Sequence, residues 1–329
     1  MKAVYIREFG GPGNLEIREV PDPTPPTGND VTVRVRAAGL NRADLIQLRG
    51  NYPPPAGYSL NIPGLEFAGE IVDAPSDQVE FQVGERVFGI TAGEAQAEVI
   101  KIDHRLLARV PDHLSFAEAA AMPEAFITAH DAVFSQAGLT GNETLLVHAV
   151  GSGVGLAAVQ LAKARSHRVF GTSRTQEKLD RCREWNLDHG VVVGSAPQFA
   201  ADIRSETDDH GVDVILDLVG AAYFDENLKA AAVKGRIMLV GLTSGSKTEF
   251  NLGIALSKRL TLIGTVLRTR SLEEKAAATA AFARDVVPLL ADGRIKPNVD
   301  RVFDLRDVRA AYEYLGSNES FGKVVLKVS

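Results

Sequence analysis

The sequence predicts an α/β protein, a doubly wound parallel sheet joined to a separate, mainly β part. Three observations predict it. Short strand signals and proline-rich breaks fill the first hundred or so residues, and from about Ser115 strand and helix signals alternate. The 30 glycines tend to sit between short apolar runs, as they do where many elements are joined by tight turns. A length of 329 residues is roughly two domains' worth. Hydrophobic residues at 45% and charged residues at 24% are ordinary globular composition, which excludes disordered and low-complexity scaffolds.

Taken in order, Val31-Thr-Val-Arg-Val-Arg36 alternates apolar and polar residues at period two, a half-buried strand. Glu66 to Val72, Arg86 to Ile90 and Ala97 to Ile102 read as further strands. Pro21-Asp-Pro-Thr-Pro-Pro26 lacks the N–H groups that a ladder needs and is a surface connection. Asn51-Tyr-Pro-Pro-Pro-Ala-Gly57 is a second proline-rich loop, carrying an aromatic. Ser115-Phe-Ala-Glu118 has capping-box spacing and opens an Ala-rich helix. Thr144 to His148 is a buried strand, Val154 to Ala164 a helix, Arg168 to Thr172 a strand and Gln176 to Trp185 a helix. Val212 to Asp217, Arg236 to Val240 and Leu260 to Gly264 are strands. Such alternation implies a parallel sheet covered on both faces. Helical runs over 272–291 and 307–315 precede a last strand, Lys323 to Val328.

The net charge of −6 gives no support to binding of nucleic acid or an anionic membrane. A single cysteine, Cys182, excludes an internal disulfide and any multi-cysteine metal site, and a reducing cytoplasm is the expected compartment. Arg7 and Glu8 interrupt the apolar core that a signal peptide would need, and no run is long enough to span a membrane.

The strand Leu145 to His148 leads into Ala149-Val-Gly-Ser-Gly-Val-Gly155 and then into an apolar helix. Strand, glycine turn, helix is the context of a Rossmann-type dinucleotide site, in which pyrophosphate sits against the unpaired N–H groups of the helix. Gly151, Ser152, Gly153, Val154 and Gly155 are therefore candidate cofactor residues. Aligned on Gly155, the Gly-x-Gly-x-x-Gly positions are Val150, Ser152 and Gly155, so only the last matches. The second strand runs into Ser173-Arg174, with Lys178 one helical turn on, and no acid stands at its end. A hydroxyl and two cations suit a 2′-phosphate, so NADPH is the expected cofactor. Gly220, Gly241 and Leu242 follow later strands at the ends where open α/β sheets bind ligands.

Several stretches together resemble the medium-chain dehydrogenase/reductase superfamily, in its zinc-free quinone oxidoreductase branch. They are Gly39-Leu-Asn-Arg-Ala-Asp-Leu45, Arg49-Gly-Asn-Tyr-Pro-Pro-Pro55, Pro63-Gly-Leu-Glu-Phe-Ala-Gly69, Ala119-Ala-Ala-Met-Pro-Glu-Ala-Phe-Ile-Thr-Ala129, Val147 to Gly155, Leu267-Arg-Thr-Arg270 and Gly322-Lys-Val-Val-Leu326. The resemblance implies a GroES-like, mainly β catalytic domain over residues 1–118 and 265–329, with a Rossmann NADPH-binding domain inserted over 119–264. The family's glycine pattern reads Ala149, Ser152, Gly155 here, Ser152 being a departure. Zinc-dependent relatives have cysteine where Asn41 stands and histidine where Leu65 stands, so the resemblance implies a metal-free site.

The resemblance further implies that Asn41, Tyr52 and Thr128 lie around the nicotinamide, and that the Leu267 backbone meets its carboxamide. Ser320 and Lys323 would flank a segment closing over the cofactor. Asn41 could donate to a substrate oxygen or cap the helix beginning near Arg42. Tyr52 could donate a proton or stack on a planar acceptor. His148 reads as a packed core histidine, and Cys182 has no partner that would make it a catalytic thiol. The apolar edge Leu260 to Val266 predicts a homodimer joined edge to edge. NADPH-dependent reduction of a quinone is the leading expectation. An NADPH-dependent reductase of enals, enones or 2-enoyl thioesters, and a non-enzymatic NADPH- or RNA-binding protein, are the alternatives.

Overall fold

Six short, β-branched-rich segments pair in parallel into one sheet, in the spatial order His189–Val192, Arg168–Ser173, Thr144–Val147, Val212–Asp217, Ala231–Leu239, Thr261–Gly264. Numbered along the chain that order is 3-2-1-4-5-6, the doubly wound dinucleotide-binding topology. The computed structural model describes residues 1–75 and 79–328. This sheet lies in a compact unit, Thr128–Val266, and the rest of the chain, Met1–Ile127 with Leu267–Ser329, forms the other. The sheet unit's core gathers Leu146, Phe170, Ile215 and Ile237 with the aromatic pair Phe199 and Tyr223.

The second unit is mainly β. Its sheet runs Val299–Asp304, Lys323–Lys327, Asp30–Leu40, Glu66–Asp73, Arg86–Ile90, Leu107–Arg109, with Val99–Asp103 also paired to the long strand Asp30–Leu40. A hairpin of Lys2–Ile6 and Leu15–Glu19 stands beside it in the chain. Val33, Phe67, Tyr312 and Leu326 are fully buried in its core. Register matters most here. Val324 pairs with Leu40, and Phe67 pairs with Ala38, on either side of the long strand. Lys323, Asn41 and Glu66 are thereby brought to neighbouring ends of three adjacent strands.

The fold class is as expected, and most of the strands and helices anticipated individually are present. The capping box forms, Ser115 Oγ accepting from the Glu118 N–H while the Glu118 carboxylate accepts from Ser115. The single helical run expected over 272–291 is two helices, Leu272–Asp285 and Val287–Ala291. Pro288, near the start of the second, has no N–H to continue the first. The hairpin and the strands His189–Val192 and Val299–Asp304 were not anticipated one by one. Among the described residues, no helix is long and apolar enough to cross a membrane.

Candidate active site

Asn41 stands at the N-cap of the helix Arg42–Leu48, its backbone N–H donating to Asp44 Oδ2 at 2.8 Å. Its side chain is engaged elsewhere. Nδ2 donates to Glu66 Oε1 at 2.9 Å, and Oδ1 accepts from Lys323 Nζ at 2.6 Å. The Lys323 ammonium also donates to the Leu40 carbonyl at 2.7 Å and pairs with Glu66 Oε1 at 2.5 Å. Glu66 Oε2 in turn accepts from the Glu124 N–H at 2.8 Å. Both charges of the pair are buried, and charge-assisted bonds of this kind are stronger than neutral ones. The Asn41 amide is thus gripped at both ends in one orientation. A Cβ at Gly39 would overlap the Glu66 carboxylate, so the absence of a side chain there makes room for the cluster.

Tyr52, in the proline-rich loop, is half-buried. Arg268 holds it. Nη1 donates to the Tyr52 carbonyl at 2.7 Å, Nη2 to Gln47 Oε1 at 2.6 Å and Nε to the Ala92 carbonyl at 2.7 Å. The guanidinium carbon lies 4.8 Å from the centroid of the Tyr52 ring. Burial, with help from Glu124, pushes the Tyr52 phenol up to about 12, so it keeps its proton at neutral pH. Glu124 is pushed up to about 8 by burial first and then by the Glu66 and Asp44 carboxylates. Burial likewise raises Asp44 to about 6, against the bond from Asn41 and the Lys323 and Arg268 charges. The Asp44 Oδ1 atom is buried with no hydrogen-bond partner. Two carboxyl groups near Asn41 and Tyr52 therefore titrate close to neutrality, as groups at functional sites commonly do.

In the sheet unit, Ser152 caps the helix Gly153–Lys163, Oγ accepting from the Gly155 N–H at 3.1 Å. That accounts for a serine where the fingerprint has glycine. The first N–H groups of the helix, at Gly153 and Val154, have no intrahelical acceptor and can meet an anion. Gly155 is required by packing, since its Cβ would come within 2.6 Å of the Val150 carbonyl and 2.8 Å of that of Ala149. Ser173 is buried, with Oγ accepting from the Thr175 N–H at 3.4 Å, whereas Arg174 is exposed and Lys178 half-buried. Gly220 has φ of +87° and Gly241 packs against Leu218, where a Cβ would lie 2.7 Å from the carbonyl. Leu242 is exposed.

A buried polar chain ties these turns together. His148 Nδ1 accepts from Thr172 Oγ1 at 2.9 Å, and Nε2 donates to Asn227 Oδ1 at 2.6 Å. Asn227 Nδ2 donates to Asp217 Oδ2 at 2.9 Å, while Asp217 Oδ1 accepts the N–H groups of Val219 and Gly220, each at 2.8 Å. Burial lowers the His148 pKa, keeping the imidazole neutral. His148 is a packed core histidine.

The remaining candidates are dispersed. Thr128 is half-buried on the helix Pro123–His130. Leu267 is buried, its carbonyl accepting from the Arg270 N–H at 3.2 Å, and Ser320 is buried. Lys323 spends its three N–H groups on Leu40, Asn41 and Glu66, which leaves none over for a cofactor. Sequence reasoning missed Glu66, Glu124, Asp44 and Arg268. For Glu66 and Glu124 the signal was available, because each is the lone charged residue in an otherwise apolar motif.

A zinc ion does not fit here. Asn41 and Leu65 offer no zinc ligand, and the Glu66 carboxylate already faces an ammonium. Among the described residues, no group of three or more His, Cys, Asp or Glu side chains could hold a metal. A nicotinamide nucleotide does fit, since open helix N–H groups and the close-packed Gly155 supply what its pyrophosphate requires.

Residues 27–132 match the alcohol dehydrogenase GroES-like domain family, and residues 153–283 match the family described as zinc-binding dehydrogenase. The chain is 32% identical to a quinone oxidoreductase of Pseudomonas aeruginosa, over 99% of each chain. It is 30% identical to an acryloyl-coenzyme A reductase of Metallosphaera sedula, again over 99% of each. It also matches polyketide synthases, spanning only a small part of them. With the erythronolide synthase EryA2 of Saccharopolyspora erythraea it shares 33% identity over 96% of this chain but 8% of that protein. Among solved structures, a mycobacterial protein complexed with NADPH superposes with a TM-score of 0.87 at 28% identity, over 100% of both chains.

Proposed function

Because the chain belongs to the zinc-free quinone oxidoreductase branch of the medium-chain dehydrogenase/reductase superfamily, we infer that it is an NADPH-dependent quinone oxidoreductase. Membership makes it an oxidoreductase working with a nicotinamide nucleotide. The observation that carries the finer reading is the Asn41 amide, fixed by Lys323 and Glu66 and, among the described residues, with one Nδ2–H to spare. That N–H is a donor for the oxygen of a carbonyl acceptor, and Tyr52 is a protonated phenol in the same unit. The bound cofactor supplies a hydride. A quinone then needs one proton to become a hydroquinone, and little Lewis-acid help, since it is already an electrophile. Orienting the acceptor oxygen is what Asn41 does, and holding a proton for it is what Tyr52 does.

Ser173, Arg174 and Lys178, with no acid at the strand end, favour NADPH over NADH, and the likeness to a structure holding NADPH supports this. The other proposed cofactor residues are Gly151 to Gly155, Gly220, Gly241, Leu242 and Thr128 in the sheet unit, and Leu267 and Ser320 in the β unit. A second reading, an activated-alkene reductase, is favoured by the same protonated Tyr52, because reduction of an enoyl thioester ends with a proton delivered to carbon. The likeness to the acryloyl-coenzyme A reductase supports it equally.

The deciding experiment is oxidation of NADPH and of NADH by the purified protein, with an ortho-quinone and a short 2-enoyl thioester side by side. Turnover of the quinone with NADPH is the expected result. Preference for the thioester overturns it in favour of the second reading, and binding of NADPH without turnover moves the weight to a non-enzymatic role. A homodimer is part of the proposal. The strand Thr261–Gly264 ends its sheet with one partner strand among the described residues; Leu262 within it is 50% exposed, and Leu252 and Leu256 on the preceding helix, Leu252–Lys258, are 72% and 80% exposed. An apolar edge of this kind is suited to a second copy of itself. Sedimentation should give a dimer that Leu256→Glu converts to monomer; a monomeric wild type would refute it.

A further inference from the structure

Arg268 belongs to the motif Leu267-Arg-Thr-Arg270, in which the proposed function uses Leu267 and gives Arg268 no work. Its position is unusual. The residue is 3% exposed, yet no carboxylate lies within ion-pair distance among the described residues. All three of its bonds go to neutral acceptors, the Tyr52 and Ala92 carbonyls and the Gln47 amide. Burying a cation without a paired anion is costly, and burial lowers the Arg268 pKa accordingly. Neutral side chains could tie the two loops and the helix Arg42–Leu48 together at less expense. What only a guanidinium adds is a planar charge over an aromatic face, and the face it covers is that of Tyr52.

We propose that Arg268 is the positioning residue for Tyr52, fixing the loop through the Tyr52 carbonyl and the ring through its covered face. This rests on the reading of Tyr52 as the proton holder. With one face taken by Arg268, a planar acceptor can stack only on the other. When Tyr52 gives up its proton, the O–H bond breaks, a new bond forms from that hydrogen to the acceptor reduced by the nicotinamide nucleotide, and a phenolate remains. The groups that bear on that phenolate are Glu124 and Asp44, which oppose it, and Arg268, which favours it. Lys275 lies near Glu124 and Arg268 and completes the charged surroundings. Arg268 is thus the cation that both places the phenol and compensates its ionised form.

The test combines Arg268→Met, Tyr52→Ala and the double variant, assayed with NADPH and whichever acceptor the wild type reduces. Alone, Arg268→Met should lower kcat/KM for the acceptor at least tenfold and leave NADPH affinity, read by quenching of protein fluorescence, within twofold. In the Tyr52→Ala background it should cost nothing more, since coupled residues fail to add. Losses that multiply overturn the proposal while leaving the reading of Tyr52 intact. A Tyr52→Ala variant as active as wild type overturns both. Independently of turnover, the ultraviolet titration of Tyr52, taken as wild type minus Tyr52→Phe, should move to higher pH when Arg268 becomes Met. An unmoved titration refutes the proposal even for a protein that reduces neither acceptor. Should Arg268→Met fail to fold, Arg268→Lys serves. It keeps the charge without the fork, so it should hold the titration near the wild-type pH yet still lose turnover, and a fully active lysine variant would refute the positioning role.

Discussion

The two units hold their candidate functional residues by opposite means. In the sheet unit the turns that would meet a cofactor are tied by a chain of mostly neutral dipoles, Thr172, His148, Asn227 and a single carboxylate, Asp217. In the β unit Asn41 and Tyr52 are held by a buried ionic cluster of Asp44, Glu66, Glu124, Lys323 and Arg268. A neutral chain keeps one geometry across the physiological pH range. A charged cluster ties geometry to protonation, and two of its members, Asp44 and Glu124, titrate near neutrality. The difference suits a rigid site for a cofactor and a responsive one for proton transfer.

The largest effect should come from splitting the ion pair. Lys323→Met leaves the fully buried Glu66 carboxylate without a counter-ion, which should cost about 3–5 kcal/mol in urea unfolding. Adding Glu66→Gln should restore much of that loss, and no recovery would mean that the lysine acts by packing alone. Breaking the neutral chain should cost less. His148→Phe removes two buried bonds and strands Asn227, for about 1–3 kcal/mol, with weakened NADPH binding. Because burial holds His148 neutral while the imidazole of the unfolded chain gains a proton below about pH 6.5, that loss should be smaller at pH 6 than at pH 8. A loss larger at pH 6 than at pH 8 would mean a charged imidazole in the fold and would erase the contrast between the units.

The contrast is sharpest at Glu124. Its folded-state pKa of about 8 lies above the ordinary value of 4.5, so the folded protein binds this proton more tightly than the unfolded chain. The corresponding stability is fully present below pH 4.5 and is lost as pH rises through 8. Glu124→Gln, neutral throughout, should therefore flatten the decline and unfold at a higher urea concentration than wild type at pH 8.5. A residual slope from Asp44 between about pH 4 and 6 should survive. Ser152→Ala should have the smallest effect, about 1 kcal/mol for the lost helix cap, measured by thermal denaturation.

What could be read in the sequence was local. Period-two alternation in Val31 to Arg36, the Ser115 capping box and the glycine turn after His148 each involve residues within a few positions of one another. The doubly wound sheet followed from their alternation. The ionic cluster did not, because its members meet only through register. Asn41 and Glu66 are 25 residues apart, and Asn41 and Lys323 are 282 apart. The resemblance pointed to Asn41 and Tyr52 but not to what holds them. A charged residue in the midst of apolar neighbours, as at Glu66 in Gly64-Leu-Glu-Phe-Ala68, is the sign that a distant partner is needed. Ser152 shows the converse. It breaks the glycine fingerprint, and the structure shows its hydroxyl serving the helix end instead.

The pairing of Glu66 with Lys323 also sets an order of events during synthesis. Lys323 follows Glu66 by 257 positions, so at about 5–20 residues per second the carboxylate is made roughly 13–50 s before its counter-ion. The whole of the sheet unit, a single continuous stretch, leaves the ribosome within that interval. It can fold while the β unit waits, with its central strand unpaired along the edge that Lys323–Lys327 will occupy. A nascent chain arrested before Lys323 should therefore protect the sheet unit from protease and leave the strand Asp30–Leu40 open to it.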